Sequence, residues 1–164
     1  MLRPVTALRS LAFVLFAISA CATSREADRP DLPACPGFRL NVDSIVVGPA
    51  GGPFPLTQNG LTLITFAPNA VTTQTTFYVN PVVVNGDTLA GVGFTPATGL
   101  FPEQVVLRIS YNGCPEIIQK QNGPLRIWFR DGTGDWKPIP SGKSVGGHYV
   151  DAYIEHFTDF AIAL

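Results

Sequence analysis

The chain has 164 residues, 46% of them hydrophobic, and its 11 Lys and Arg nearly cancel its 12 Asp and Glu to a formal net charge of -1. That length serves a single core rather than several. A scattered, near-neutral charge argues against nucleic acid or another polyanion as partner, because such ligands need a basic patch.

The chain opens "MLRPVTALRSLAFVLFAISAC". Two arginines, Arg3 and Arg9, precede an apolar run from Leu11 to Ala20, and small residues end it. This is the layout of a secretory signal peptide, and the run falls short of the roughly 20 apolar residues of a membrane-spanning helix. Ile18-Ser19-Ala20-Cys21 resembles the lipobox of bacterial lipoproteins. The resemblance implies that Cys21 carries a diacylglycerol, that the signal is cut before it, and that the new amino terminus is acylated. Each acyl chain then contributes about 0.8 kcal/mol per buried methylene to membrane anchoring. Ala22 stands where an aspartate would resemble an inner-membrane retention signal, so the resemblance points to the outer membrane if the cell is Gram-negative. Loss of Arg3 and Arg9 would leave nine Lys and Arg and a mildly acidic mature chain.

"ATSREADRPDLPA", Ala22 to Ala34, is polar, contains proline and has no apolar period. It reads as a tether. The expected organisation is a signal peptide at 1–20, the lipidated cysteine and tether at 21–36, and one domain at 37–164. Three cysteines are an odd number for a secreted chain. Lipidation of Cys21 leaves Cys35 and Cys114, which an oxidising compartment favours pairing. Two separate buried thiols are the alternative. A bridge over that long a loop stabilises by about 4 kcal/mol in the chain-entropy description.

Beyond Cys35, strand signals recur in "FRLNVDSIVV", "LTLITF", "TQTTFYVNPVVV", "QVVLRISY", "LRIWFR", "HYVDAYI" and "TDFAIAL", with Gly, Pro and Asn clusters between them. In "LRIWFR", Leu125, Ile127 and Phe129 alternate with Arg126, Trp128 and Arg130; in "VLRIS", Leu107 and Ile109 alternate with Arg108 and Ser110. Such alternation marks an antiparallel sheet with one buried and one wet face. Seven to nine short strands at this spacing predict an all-β fold, an antiparallel β-sandwich.

Four segments carry a second resemblance when taken in order. They are "GGPFPLTQNGLTLITFAPNAV", "VGFTPATGLFPEQVVLRISY", "LRIWFRDGTGDWKPIP" and the closing "VDAYIEHFTDFAIAL". Together they resemble the ZU-five domain, the β-sandwich of ankyrins, netrin receptors and zonula occludens proteins, over about three quarters of the chain. The sequence departs from that family at "FAPNA", where an Ile-Pro-Pro-Gly-Ala turn is usual, and at Thr158 and Phe160, where serine and tyrosine stand. The resemblance implies a scaffold or protein-binding module.

Some members of that family cut themselves inside the closing motif, which here is His156-Phe157-Thr158. The chemistry would be attack of the Thr158 hydroxyl on the Phe157 carbonyl, with His156 as general base. Strain in the scissile peptide drives such a shift, and a sequence does not display strain. The structural reading is preferred: Val150, Ala152, Ile154 and His156 share one strand face, and Thr158, Phe160, Ile162 and Leu164 form the next inward stripe. By that account the triplet is a corner between two strands.

The remaining candidates are weaker. Asp131 and Asp135 in "DGTGDW" lack the oxygen-rich pattern of a calcium loop and read as a hairpin turn. His148 and His156 are the only histidines and belong to no zinc motif. No P-loop, G-x-S-x-G elbow or G-x-G-x-x-G occurs, so neither metal nor cofactor is expected. Trp128, between Arg126 and Arg130 on the polar face of its strand, is a candidate anchor for a protein or a sugar ring; packing beneath a loop is the preferred alternative. The sequence is therefore read as a membrane-anchored envelope lipoprotein whose sandwich binds an envelope protein without catalysis. Self-cleavage is the alternative, and glycan binding a third.

Overall fold

The computed structural model describes residues 30–144 and 146–164. The signal peptide, Cys21 and most of the expected tether lie outside the described residues. Eleven strands and one short helix follow in order: β1 (Ser44–Val47), β2 (Gly52–Pro55), β3 (Leu63–Phe66), β4 (Thr75–Val84), β5 (Asp87–Thr95), β6 (Val105–Ser110), α1 (Pro115–Gln119), β7 (Arg126–Arg130), β8 (Trp136–Pro138), β9 (Ser141–Ser144), β10 (Tyr149–Ile154) and β11 (Asp159–Ala163). They form a six-stranded sheet, β1-β4-β5-β11-β7-β8, and a five-stranded sheet, β2-β3-β6-β10-β9. Every pairing is antiparallel. The fold is the all-β sandwich that the alternation predicts.

Period-two patterning places the core between the sheets. Ile64, Phe66, Leu107, Ile109, Val150 and Ile154 point in from the five-stranded sheet, and Phe77, Val79, Val92, Phe94, Ile127, Phe160 and Ile162 from the other. All are almost fully buried. Ser110, read from the sequence as a wet-face residue, is also buried; its amide is bonded to the Thr62 hydroxyl at 3.0 Å.

The strand list from the sequence omits β5, a central strand, along with β2, β8 and β9. Gly91 and Gly93 depress the strand propensity of β5, yet its environment explains them. A Cβ on Gly91 would stand 2.5 Å from the Phe160 carbonyl oxygen, and one on Gly93 would stand 2.4 Å from the Asp159 carboxylate. β11 approaches too closely for a side chain. A signal for β5 is nevertheless present: Asn85-Gly86 takes positive φ at both residues, 53° and 92°, the two-residue hairpin turn that joins β4 to β5.

Cys35 and Cys114 form a disulfide across 79 residues, with Cα atoms 4.8 Å apart. Packing also begins upstream of the boundary expected at residue 37. The Asp31 carbonyl accepts from the Leu164 amide at 3.2 Å, the Asp31 carboxylate pairs with Lys120 at 2.5 Å, and the Cys35 amide donates to the Thr88 carbonyl at 2.7 Å. Ala34 bridges Leu89 of β5. The last residues of the expected tether are therefore an edge of the domain, because the disulfide and β5 hold them there.

These contacts give the sandwich two distinct ends. Asp31 meets Leu164, so the first described residues enter the sandwich at the end where β11 finishes. The antiparallel register puts the β2–β3 loop, the β4–β5 turn, the disulfide and α1 at that same end. The opposite end carries the Asp131–Asp135 turn, the β5–β6 loop with Leu100 (75% exposed), and the His156-Phe157-Thr158 corner.

Candidate functional site

The closing triplet is anchored by its middle residue. Phe157 is fully buried, stacked on Phe94 at 4.2 Å between ring centres and met edge-on by Phe77 at 4.6 Å and Phe101 at 5.0 Å. Its amide donates to the Thr98 hydroxyl at 2.9 Å. The Thr158 hydroxyl donates to the main-chain carbonyl of Arg130 at 2.5 Å, and the Thr158 carbonyl accepts from the Phe94 amide at 3.2 Å. His156 presents its ring perpendicular to that of Phe129, with centres 5.5 Å apart. No hydrogen bond joins His156 to Thr158 among the described residues. The non-glycine residues with positive φ are Asn69, Asn85 and His148, so none of the triplet sits in left-handed backbone. This is the geometry of a corner.

Trp128, weighed from the sequence as a candidate anchor and preferred as a packed residue, lies buried in the fold. Its neighbours Arg126 and Arg130 are exposed, but Trp128 is only 8% exposed and its indole N–H has no acceptor among the described residues. In register, Trp128 stands beside Ala161, and Ala161 beside Gly91. A ring cannot stack on a buried face. Arg130 is also occupied, donating to the Gly134 carbonyl at 3.3 Å and lying 3.7 Å from the Asp159 carboxylate.

The Asp131–Asp135 loop is a hairpin turn closed by its own carboxylate. Asp131 Oδ1 accepts from the Thr133 hydroxyl at 2.6 Å, the Thr133 amide at 2.9 Å and the Asp135 amide at 3.0 Å. The Thr133 hydroxyl bond, and behind it the amide bonds, hold the Asp131 carboxyl below the ordinary aspartate range. Among the described residues no group of three or more His, Cys, Asp and Glu is placed to hold a metal ion.

The structure brings together a site that the sequence reading missed. Between β8 and β9 the chain crosses from one sheet to the other as Pro138-Ile139-Pro140. Beyond this crossover, on the half away from Asp31 and Leu164, the flank of the sandwich opens into a groove of about 350 Å³. Phe129 and Phe160 lie at its base, Tyr153 (62% exposed) on its wall, and Glu155 and His156 on its rim. Of the residues singled out from the sequence, only His156 reaches it. The remaining lining comes from separate strands, so no local motif announces the groove; Pro138-Ile139-Pro140, which cannot continue a sheet, is its one sequence trace.

Tyr153 also belongs to the outer face of the five-stranded sheet. There, Arg108 holds Asp151 with two bonds of 2.7 and 3.0 Å and lies 3.8 Å over the Tyr149 ring. The bond to Asp151 raises the Arg108 pKa above its ordinary value. Both partners are about one-third exposed, so the pair orders the face more than it stabilises the fold. No protein-family model matches the chain, and a search of curated proteins finds no relative.

Proposed function

We propose that this chain is a lipid-anchored envelope protein, held at the membrane through Cys21, whose ZU-five-like sandwich binds another envelope protein without catalysis. The signal and lipobox motif support the anchor, and the order of the four segments supports the family likeness. The observation that carries the binding role is the position of the flank groove. It lies in the half of the sandwich opposite the end from which the tether leaves, where an anchored domain meets its surroundings.

Its chemistry defines the occupant. Phe129, Phe160, the crossover prolines and Tyr153 offer apolar and aromatic surface, while the Glu155 carboxylate on the rim has no ion-pair partner among the described residues. The fitting partner is an extended segment with an apolar side chain next to a Lys or Arg. The reading of the closing triplet as a corner rather than a self-cleaving site is supported by the Thr158 hydroxyl being committed to the Arg130 carbonyl, and by a corner without left-handed backbone.

Two experiments test the proposal separately. Metabolic palmitate labelling should disappear in Cys21→Ser; persistence of the label removes the anchor. A photo-crosslinking amino acid at Tyr153 should trap a discrete partner in cells, and the same probe at Arg126 should not. Equal trapping at both positions, or none at Tyr153, removes the groove as the binding site.

A further inference from the structure

A second concavity, of about 340 Å³, lies at the end of Asp31 and Leu164, between the Gly37–Arg39 segment, the β2–β3 loop and the residues that follow β6. It shares no residue with the flank groove. Its base is the most polar part of the interior, because Thr62, Ser110 and Thr57 are the buried polar residues among the described ones and all three line it. Their hydrogen bonds are largely internal. Thr57 Oγ1 accepts from the Thr62 amide at 3.1 Å, Thr62 Oγ1 from the Ser110 amide at 3.0 Å, and Ser110 Oγ from the Asn112 amide at 3.2 Å. The base is thus a rigid frame rather than a set of free groups.

The charged group left to meet a ligand is a donor, and the amides beside it offer further donors. Arg39 uses one guanidinium nitrogen, Nη1, on the Pro36 and Phe38 carbonyls at 2.6 and 2.9 Å. This fixes the fork and leaves its other N–H groups without a partner among the described residues. No carboxylate lines the cleft, and Arg39 has no acidic partner among the described residues. Asn59 is oriented too: its Oδ1 accepts the Thr57 hydroxyl at 2.8 Å and the Leu61 amide at 3.1 Å, which leaves the Nδ2 donors unused. Gln58 and Asn112 add exposed amides. The walls are tied together by the Cys35–Cys114 disulfide, and Gly37 packs so closely that a Cβ there would lie 3.1 Å from the Gly113 carbonyl oxygen. A fixed guanidinium, an oriented amide and no competing carboxylate make a preorganised receptor for an oxyanion.

We infer that this cleft binds a small polar organic molecule through a carboxylate or phosphate group, with Arg39 taking the anion and Asn59 supporting it. The volume admits more than a bare ion. The proposal stands independently of the lipid anchor and the flank groove.

The test is an NMR titration of the full chain in detergent micelles with gluconate, glucose 6-phosphate and, as the neutral analogue, glucose. Gluconate, glucose 6-phosphate or both should shift the Arg39, Asn59 and Asn112 amides saturably, with glucose at least about tenfold weaker, the discrimination expected of a charge-assisted hydrogen bond. Arg39→Ala should abolish the response. Asn59→Asp retains the Oδ1 acceptor that Thr57 and Leu61 need, so the loop keeps its fold, but it replaces the Nδ2 donors with negative charge; affinity should fall at least about tenfold. Equal binding of glucose, silence of these amides towards both acids, or unchanged affinity in Asn59→Asp would overturn the proposal.

Discussion

Thr158 donates its hydroxyl to the main-chain carbonyl of Arg130, linking the turn before β11 to the last residue of β7 at 2.5 Å. The residue that self-cleavage would need as nucleophile is thereby a strut between two strands. Denatured intact-mass measurement should find the chain whole, with no loss of the Thr158–Leu164 peptide. Thr158→Val should leave that mass pattern unchanged and cost about 1 kcal/mol in urea unfolding, the net value of one hydrogen bond. A heptapeptide released from the unmutated chain and retained in Thr158→Val would reverse the assignment.

Phe157 packs this corner into the core. It contacts aromatic rings from β3, β4 and β5 and from the β5–β6 loop, and no solvent reaches it. Phe157→Ala should destabilise by about 3–5 kcal/mol, read as a lower urea midpoint with little change in slope. A loss below 1 kcal/mol would mean the cluster collapses to refill the space.

Gly91 tests the close contact of β5 with β11. A methyl there meets the Phe160 carbonyl, a backbone atom that cannot rotate away, whereas at Gly93 it meets the Asp159 side chain, which can. Gly91→Ala should therefore cost about 1–3 kcal/mol, in the range of core overpacking, and more than Gly93→Ala. Thermal melts of the two variants side by side check the order.

The Asp131 turn should respond to acid. Its folded carboxyl lies below the ordinary aspartate value, so its contribution is complete above about pH 3.9 and fades as pH falls through the lower folded value. The Thr133 and Asp135 amide resonances should shift through that acid window. In Asp131→Asn, which retains an acceptor but not the titration, the local transition should vanish.

Reducing the Cys35–Cys114 bridge should lower stability by up to about 4 kcal/mol, given the length of the loop it closes. Urea unfolding with and without reductant measures this, and Cys114→Ser should be insensitive to reductant. The reduced chain should also respond less to gluconate and glucose 6-phosphate, because the bridge ties the two walls of the Arg39 cleft.

The all-β class and the inward faces of β6, β7 and β10 follow from one-dimensional information. Period-two alternation survives in Leu107-Arg108-Ile109 whatever the strand order, because side-chain direction in a strand is local. Pairing of Cys35 with Cys114 is the reading the sequence favours over two separate thiols, and the folded chain forms that bridge. β5 is harder to see, since Gly91 and Gly93 lower its propensity for a reason that lies on β11; Asn85-Gly86 is the only local clue.

What tertiary structure alone decided is which residues meet. Trp128 alternates with inward-facing residues and so falls on the polar side of its strand pattern, yet in the fold it is only 8% exposed. The flank groove assembles Phe129, Pro138, Tyr153 and His156, and the cleft assembles Arg39, Asn59 and Ser110, each from segments distant in the chain. Strand order and sheet crossover determine those neighbours, and both depend on long-range pairing that no local pattern encodes. The sequence by itself determined a single-core β-sandwich and most of its inward faces. The sites came from the packing.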